Sequence, residues 1–544
     1  MQHALFSIPS DRRALAAVLL LAIVFFITCS IFSYNGTQKF ISPDETANYL
    51  VTKQYASGKG LALPSSLSES DGIVVPRSFM AVDGALLPTS FLGLPILYGS
   101  IARIVGVWVI PFLTPFFSAL ALIAFFSILK RFMSVRVSLL STILLAVHPA
   151  FWYFSSRGMF HNVLFFDLMV IGLSAMFKSF DATHSKGRMR IIAWYVLSGF
   201  SLGFSIAVRT SEVVWLGIII IMLVVAFHRS FDFKHAVWAM VFSAALPMSV
   251  VLYYNHQLFG NALSFGYSPV MASTASVSAA ASDIVTRMGQ LFFPFGVHIT
   301  TIAVNIWNYG IRLVWMPALL SMFGLLYAFR QKKTSVEWLY LTIALFIGAW
   351  LVVYYGSWII QDNPDPNAVS IGTSYTRYWL PLYAVMIPYA AYFIEYFLKN
   401  VRRNRAMMRV IIIGAITIGS LALVVLDKDE GLASMRTATI EYKMLADAAV
   451  AATPPNAVII AGTGDKIFFP QRRVIVDVVT PQQYGELREL ITKVPVYLYV
   501  HAAQSPITVT AAWEQRGFGI SEQINLADYD RLFTVRDLYS LSSS

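Results

Sequence analysis

Long apolar runs constrain the fold of this chain more than any other feature of its sequence. A helix needs roughly 20 predominantly apolar residues to cross the hydrocarbon core of a bilayer. Stretches of this kind lie at residues 14–34, 108–129, 137–154, 162–179, 191–208, 212–227, 236–254, 310–329, 336–357, 378–398 and 409–426. They predict a mainly α-helical polytopic membrane protein with about eleven transmembrane helices.

Composition and charge agree with this class of protein. Hydrophobic residues make up 57% of the 544 residues and charged residues only 13%, which excludes an ordinary soluble globular protein. A net charge of +11 would suggest nucleic-acid binding in a soluble protein, but here the basic residues cluster between apolar stretches, as membrane topology requires. We therefore expect membrane lipids, and no nucleic acid, as partners. The only cysteine, Cys29, lies in the first apolar stretch, so no intrachain disulfide is expected.

The basic clusters predict how the chain crosses the membrane. The stretch Thr89–Gly106 is apolar but short, and Pro95 and Arg103 interrupt it. If it crossed, the basic loop at Lys130 would lie outside, so we place it as an interfacial helix. With that choice every basic cluster is cytoplasmic, including those at 178–190, 229–234, 330–333 and 399–409. The N-terminus, ahead of an uncleaved first helix, is then cytoplasmic and the C-terminus extracytoplasmic.

This topology leaves three long segments on the external face. They are the first long loop, Tyr34–Val107, a second loop, Asn255–Tyr309, and everything after Leu426. No repeat between two halves is visible, which separates the chain from inverted-repeat transporters.

The tail changes character from residue 427 onward. Shorter apolar runs predict strands at 457–460, 472–479 and 494–500, and a helix follows Thr480. We therefore divide the chain into a membrane domain, residues 1–426, and a small extracytoplasmic α/β domain, residues 427–544. The sequence "GTGD", Gly462–Asp465, lacks the glycine spacing of a nucleotide-binding loop and predicts an ordinary turn.

Two adjacent acids in the first long loop, within "SPDETANYL", are candidate catalytic residues. Helix capping explains part of this stretch: Ser42 suits the N-cap, Pro43 the first helical position, and Glu45 the third residue of a capping box. Glu45 is therefore expected to act mainly through the cap. Asp44 is not needed for it.

Several polar residues lie at the external helix ends, where topology does not require them. Ionisable groups at membrane depth cost free energy unless they pair or face water, so they often mark a substrate pathway, although arginines also snorkel to headgroups. Arginine suits phosphate, whereas a carboxylate suits proton removal or metal binding. His161 is as compatible with a structural hydrogen bond as with catalysis. The candidate substrate-binding residues are Arg157, His161, Asn162, Arg209, Glu212, Tyr375 and Arg377.

Taken in order, these features resemble the GT-C glycosyltransferases. The acidic pair, "HPAFWYFSSRGMFHN" at 148–162, "YNHQLFGNALSFGY" at 254–267 and "TRYWLPLY" at 376–383 carry the resemblance. The resemblance covers about residues 10 to 400. Within this range the chain is similar to bacterial and archaeal members akin to protein O-mannosyltransferases and the aminoarabinose transferases of lipid A. The tail is not part of it.

The resemblance implies a function and assigns roles. It implies transfer of a sugar, with inversion, from a polyprenyl-phosphate carrier to an external acceptor, which the sequence leaves open as glycan, lipid or protein. Asp44 takes the catalytic position, and the lipid phosphate maps to Arg377 first, then to Arg157 and Arg209. Some relatives hold a divalent metal between acids of two loops. The loop Ser155–Asn162 has no carboxylate, so the resemblance neither requires nor excludes a metal cofactor.

The residue types fit this chemistry. A carboxylate acting as general base assists a sugar hydroxyl, and arginines stabilise the leaving phosphate. Three alternatives stay open from the sequence. They are a transporter or flippase for lipid-linked saccharides, an O-antigen-type ligase, whose long loop usually comes late in the chain, and an inactive member that serves as a binding module.

Overall fold

A computed structural model describes most of the chain. The described residues are 11–64, 72–182, 188–230, 233–266, 293, 296–360, 362, 368–400, 404–478, 480–502, 504–527 and 530–537. Much of the predicted second long loop, including Tyr267 of the "YNHQLFGNALSFGY" stretch, lies outside them. The same holds for parts of the basic loops, residues 183–187 and 401–403.

The membrane part is a bundle of helices. In chain order they are α1 Asp11–Ser33, α2 Pro43–Ala56, α3 Gly93–Val105, α4 Ile110–Phe132, α5 Val135–Ala146, α6 Pro149–Arg157, α7 His161–Ala182, α8 Arg188–Val208, α9 Val213–Ala226, α10 Phe233–Phe259, α11 Ile299–Asn305 with its π-helical continuation Ile306–Arg312, α12 Trp315–Arg330, α13 Ser335–Gly356, α14 Ser374–Tyr378, α15 Leu380–Asn400 and α16 Arg405–Val424. Short 3₁₀ turns precede α4 and α9 at Val107–Val109 and Thr210–Glu212.

The described residues contain eight to ten candidate membrane spans, so the count of about eleven stays a prediction. Among the described residues, eight helices are long and apolar enough to cross a membrane: α1, α4, α7, α8, α10, α13, α15 and α16. The pair α5–α6 is bent by 54° and the pair α11–α12 by 101°, which raises the count to ten if each pair is one span. The stretch 212–227 yields only the shorter helix α9. The stretch Thr89–Gly106 yields α3, which is also too short to span, as expected of an interfacial helix.

Glycines allow neighbouring helices to approach closely. A Cβ at Gly203 of α8 would lie 2.5 Å from the Ala244 carbonyl oxygen of α10, and one at Gly324 of α12 would lie 1.9 Å from the Tyr389 carbonyl oxygen of α15. Helix association in a membrane depends on such backbone contacts because lipid gives no hydrophobic drive between helices.

The first long loop carries α2 and a small antiparallel sheet. The strands are β1 Leu63–Pro64, β2 Phe79–Val82 and β3 Ala85–Pro88, in the order β1-β3-β2. Asp83 and Gly84 join β2 to β3 with φ values of 45° and 79°. Asp-Gly is a preferred pair for such a two-residue hairpin turn, because both positions need positive φ.

A C-terminal α/β domain follows α16. Its elements are α17 Leu432–Ala452, β4 Val458–Ile460, α18 Asp465–Phe468, β5 Arg473–Ile475, α19 Pro481–Lys493, β6 Val496–Val500, α20 Pro506–Glu514, β7 Phe518–Ala527 and β8 Asp530–Asp537. The sheet order is β5-β4-β6-β8-β7, with β4 parallel to β5 and β6, and β8 antiparallel to β6 and β7. The predicted strands are confirmed, and Thr480 caps α19 through a capping box with Gln483.

The close approach at Gly324 makes a prediction. Gly324→Ala should lower stability by about 1–3 kcal/mol, because the new methyl group cannot fit without moving α12 away from α15. The matched control is Gly414→Ala in α16, where a Cβ would meet nothing within 4 Å. Apparent unfolding temperature in detergent measures both variants, and equal temperatures would contradict the packing described here.

Candidate active site

Helix α2 begins with the predicted capping box. Ser42 is in extended conformation, and its Oγ accepts a hydrogen bond from the Asp44 N–H at 3.3 Å. The Ser42 N–H donates in return to Glu45 Oε2 at 3.2 Å. These bonds satisfy backbone donors that the first turn of a helix leaves free, so the start of α2 is fixed at Pro43.

Glu45 does more than cap this helix. Its carboxylate also receives the Arg157 guanidinium, with Nη2 on Oε2 and Nε 3.3 Å from Oε1. The Glu45 side chain is only 4% exposed and that of Arg157 only 8%. Each is the counter-ion that offsets the free-energy cost of burying the other charge. Burial raises the pKa of Glu45, and the adjacent guanidinium opposes that shift. The expectation that Glu45 acts mainly through the cap is therefore incomplete.

Asp44 is the accessible member of the acidic pair. Its side chain is 32% exposed, against 4% for Glu45. Its Oδ1 accepts a hydrogen bond from Ser78 Oγ at 2.7 Å, and its Oδ2 lies 3.5 Å from Arg377 Nη2. A carboxylate held at one oxygen and open to solvent can receive a proton from an incoming group.

Aromatic rings bring the three predicted arginines together. Phe160 has the Arg157 Cζ 4.8 Å and the Arg377 Cζ 4.5 Å from its ring centroid. Tyr378 in turn has the Arg377 Cζ at 5.5 Å and the Arg209 Cζ at 5.0 Å. The three arginines therefore lie in the order Arg157, Arg377, Arg209. They form one cluster at the end of the bundle where α6 and α8 end and α15 begins.

Arg209 is held by its own carboxylate. Its Nε donates to Glu212 at 2.9 Å and its Nη2 to Tyr355 Oη at 2.7 Å, with both charged side chains below 10% exposure. Glu212 also accepts from the Trp215 indole N–H at 2.5 Å. Arg377 donates to Ser374 Oγ at 2.7 Å. Its ion pair with Asp44, at 3.5 Å, is the longest of the three arginine–carboxylate pairs.

Three other predicted residues are buried or hydrogen-bonded within the protein. His161 places Nε2 2.8 Å from the Phe91 carbonyl oxygen, and its Nδ1 is 3.4 Å from Asn48 Nδ2. Tyr375 donates to the Trp358 carbonyl oxygen and accepts from the Ile360 N–H at 3.1 Å. Asn162 is buried beside His161.

Sequence reasoning missed Ser78, Asn48, Phe160 and Tyr378. Asn48 had a readable signal, because it follows Asp44 by four residues and therefore lies on the same side of α2. Tyr378 is adjacent to Arg377, and Phe160 adjoins His161. Ser78 had no such signal in the sequence, because it is separated from Asp44 by 34 positions along the chain.

A cavity of about 280 Å³ lies beside the buried Glu45–Arg157 pair. The end of α1, the start of the first long loop, the end of α6 and helix α17 line it, and the lining residues include Tyr34, Lys39, Ser156 and Arg436. In the described part of the chain, no three His, Cys, Asp or Glu side chains form a group able to hold a metal ion.

The fold matches solved membrane enzymes. ArnT from Cupriavidus metallidurans is similar when bound to undecaprenyl phosphate (TM-score 0.52, 10% identity, 95% of this chain and 97% of that one) and in the apo state (TM-score 0.51, 10% identity, 95% and 98%). The oligosaccharyltransferase of Archaeoglobus fulgidus in complex with Zn and sulfate is similar with a TM-score of 0.50, at 13% identity over 89% of this chain and 67% of that one. No protein-family model and no curated protein matches the sequence. The chain therefore has the GT-C fold, as the resemblance predicted.

The buried ion pair makes a second prediction. Glu45→Gln should lower stability by about 3–5 kcal/mol, because it leaves the Arg157 charge buried without its counter-ion. This exceeds the loss of about 0.5–2 kcal/mol expected from weakening a cap alone. Chemical unfolding in detergent provides the measurement. Glu489→Gln, which removes an exposed helix-surface pair with Lys493, is the control and should change little.

Proposed function

We propose that this protein is an integral membrane glycosyltransferase. It transfers a sugar from a polyprenyl-phosphate-linked donor to an acceptor at the extracytoplasmic face, with inversion and with Asp44 as general base. The observation that carries the proposal is the Asp44–Arg377 pair: an accessible carboxylate beside a guanidinium, at one end of the helix bundle of a GT-C fold.

The charges of the three arginines support a phosphate site centred on Arg377. The buried Glu45 and Glu212 balance Arg157 and Arg209. The partner of Arg377 is a partly exposed carboxylate at the longest of the three distances. A phosphate that enters here meets a planar donor group whose ion pair with Asp44 is long and partly exposed. That ArnT is solved with undecaprenyl phosphate agrees with a polyprenyl carrier.

The reaction is a single displacement. The acceptor hydroxyl loses its proton to the Asp44 carboxylate while its oxygen forms a bond to the anomeric carbon. The bond from that carbon to the phosphate oxygen breaks, and the electron pair leaves with the lipid phosphate. Arg377 stabilises the charge that develops on the phosphate.

Asp44→Asn should abolish most of the activity without unfolding the protein. A general base contributes about 10²- to 10⁴-fold, so a loss of that size in transfer is expected. Transfer is followed as undecaprenyl phosphate released from a panel of undecaprenyl-phosphate-linked sugars in proteoliposomes supplied with cell-envelope acceptor. The matched control is Asp83→Asn, in the exposed turn of the same loop, where asparagine suits the backbone. Normal transfer by Asp44→Asn would show that the base is wrongly assigned.

Arg377→Lys should weaken binding of the lipid phosphate. Lysine keeps the charge but loses the planar fork of donors, so we expect the Kd for undecaprenyl phosphate in nanodiscs to rise about tenfold. Arg409→Lys, at the pair with Glu395, is the control and should leave the Kd unchanged. An unchanged Kd in Arg377→Lys would exclude it as the phosphate ligand. Tight binding with no transfer of any sugar by the wild type would instead favour a binding module.

A further inference from the structure

The turn Gly462–Asp465 of the C-terminal α/β domain is hydrogen-bonded to the first long loop. Asp465 Oδ2 accepts the Arg77 backbone N–H at 2.9 Å, and Oδ1 accepts Arg77 Nε at 3.0 Å and Nη2 at 2.6 Å. The same Nη2 donates to the Thr463 carbonyl oxygen at 2.7 Å. Asp465 is 2% exposed, whereas Arg77 is 32% exposed. The contact therefore fixes both the main chain and the side chain of Arg77.

The residue after Arg77 is the one that holds Asp44. Ser78 donates its hydroxyl to Asp44 Oδ1 at 2.7 Å. Its φ is +64°, a left-handed conformation that costs free energy for a residue other than glycine. Such a conformation persists only where neighbouring contacts impose it. Two contacts adjoin this conformation: Asp465 holds Arg77 on one side, and the Thr89 N–H donates to the Ser78 carbonyl oxygen at 3.0 Å.

The same part of the C-terminal domain also reaches the other side of Asp44. Lys466 Nζ donates to the Ile41 carbonyl oxygen at 2.6 Å, next to the cap residue Ser42. From the loop, Lys39 Nζ donates to the Phe469 carbonyl oxygen at 3.2 Å and to Gln471 Oε1 at 2.6 Å. Burial lowers the pKa of each lysine to about 8, so both stay largely protonated near neutral pH and keep their donors.

Apolar contacts secure the same junction. Ile73 and Val74 of the first long loop are buried in the hydrophobic core of the C-terminal domain, together with strand residues such as Val458 and Val496. The Phe79 ring, directly after Ser78, lies 5.6 Å from the Phe469 ring. The loop from Ile73 to Phe79 is thus attached to the C-terminal domain on both sides of Ser78.

We propose that Asp465 is a positioning residue for the reaction: the C-terminal domain sets the place of the Asp44 carboxylate through Arg77 and Ser78. This rests on the proposed role of Asp44. Asp465 does not touch the substrate. It determines whether Ser78 stands where its hydroxyl can orient Asp44 toward the acceptor. The domain is then part of the catalytic apparatus, although its sheet lies outside the helix bundle.

Asp465→Asn tests this directly. The amide keeps the shape but loses the ion pair, so Arg77 can turn to solvent and Ser78 is released. Because a misplacement of about 1 Å can cost up to 10²-fold in rate, kcat should fall by about 10- to 100-fold. The donor KM should change by less than about threefold, since the arginines that face the lipid phosphate are untouched. The Kd for undecaprenyl phosphate in nanodiscs should match that of the wild type.

A double-mutant cycle separates positioning from general damage. Ser78→Ala removes the hydroxyl that Asp465 is proposed to place, so the double variant Ser78→Ala/Asp465→Asn should lose no more kcat than the worse single variant. The matched control is Asp530→Asn, whose carboxylate bonds Tyr499 Oη and the Ala502 N–H wholly within the domain. It should keep wild-type kcat. Multiplicative losses in the double variant, or an equal loss in the control, would overturn the proposal.

Two further comparisons keep the result decisive. If Asp465→Asn does not fold, Arg77→Lys replaces it, because Arg77 is a third exposed and lysine keeps the charge while losing the bidentate contact; its kcat should fall at constant donor KM. If Asp44→Asn is inactive but neither Asp465→Asn nor Arg77→Lys lowers kcat, the positioning role is wrong and the proposed function stands. If Asp44→Asn is fully active, the assignment of Asp44 as the base fails, and the positioning role of Asp465 fails with it.

Discussion

Charge balance at the end of a membrane bundle is the constraint on which the rest of the site depends. Three arginines stand where the helices leave the bundle, and each is matched by one carboxylate: Arg157 by Glu45, Arg209 by Glu212, and Arg377 by Asp44. A guanidinium without a partner in such surroundings would cost several kcal/mol. That cost is comparable to the whole free energy of unfolding of a marginally stable protein. The pairs therefore make a dense cationic site compatible with folding.

The pairs are not equivalent, and the difference gives the site its chemistry. Glu45 and Glu212 are buried, and each accepts hydrogen bonds from more than one group. Their ion pairs and hydrogen bonds therefore stabilise the packing of the helix ends. Asp44 is bound at one oxygen by Ser78 and stays a third exposed. An open pair can be exchanged for a substrate phosphate, whereas a closed pair cannot without leaving a buried charge. The same difference separates the two enclosed arginines from Arg377, the one that we propose binds the lipid phosphate.

Local signals explain which parts could be predicted from the sequence. The capping box at Ser42, the cap at Thr480 and the strands near 458 and 496 depend on neighbouring residues, and all are present. The count of about eleven spans stays a prediction, because hydropathy does not report the 101° bend before Trp315 or the shortness of α9. The partners of two arginines were out of reach, since Arg157 meets Glu45 across 112 residues and Arg377 meets Asp44 across 333, whereas Arg209 pairs with Glu212 three residues away.

The turn at Gly462–Asp465 shows why a motif search fails for such contacts. As a sequence it lacks the spacing of a phosphate-binding loop, and that conclusion agrees with the structure, where its carboxylate meets an arginine of the same chain. What the turn does follows from where α2 lies. Helix α2 lies in the first long loop, and although Arg157 of α6 holds Glu45, the Asp44 Oδ1 atom is held by Ser78 of the same loop. The C-terminal domain adds a further constraint through Arg77 on one side and Lys466 on the other. The proposed base, Asp44, needs such an element, because an orienting contact is useful only if its own backbone is held.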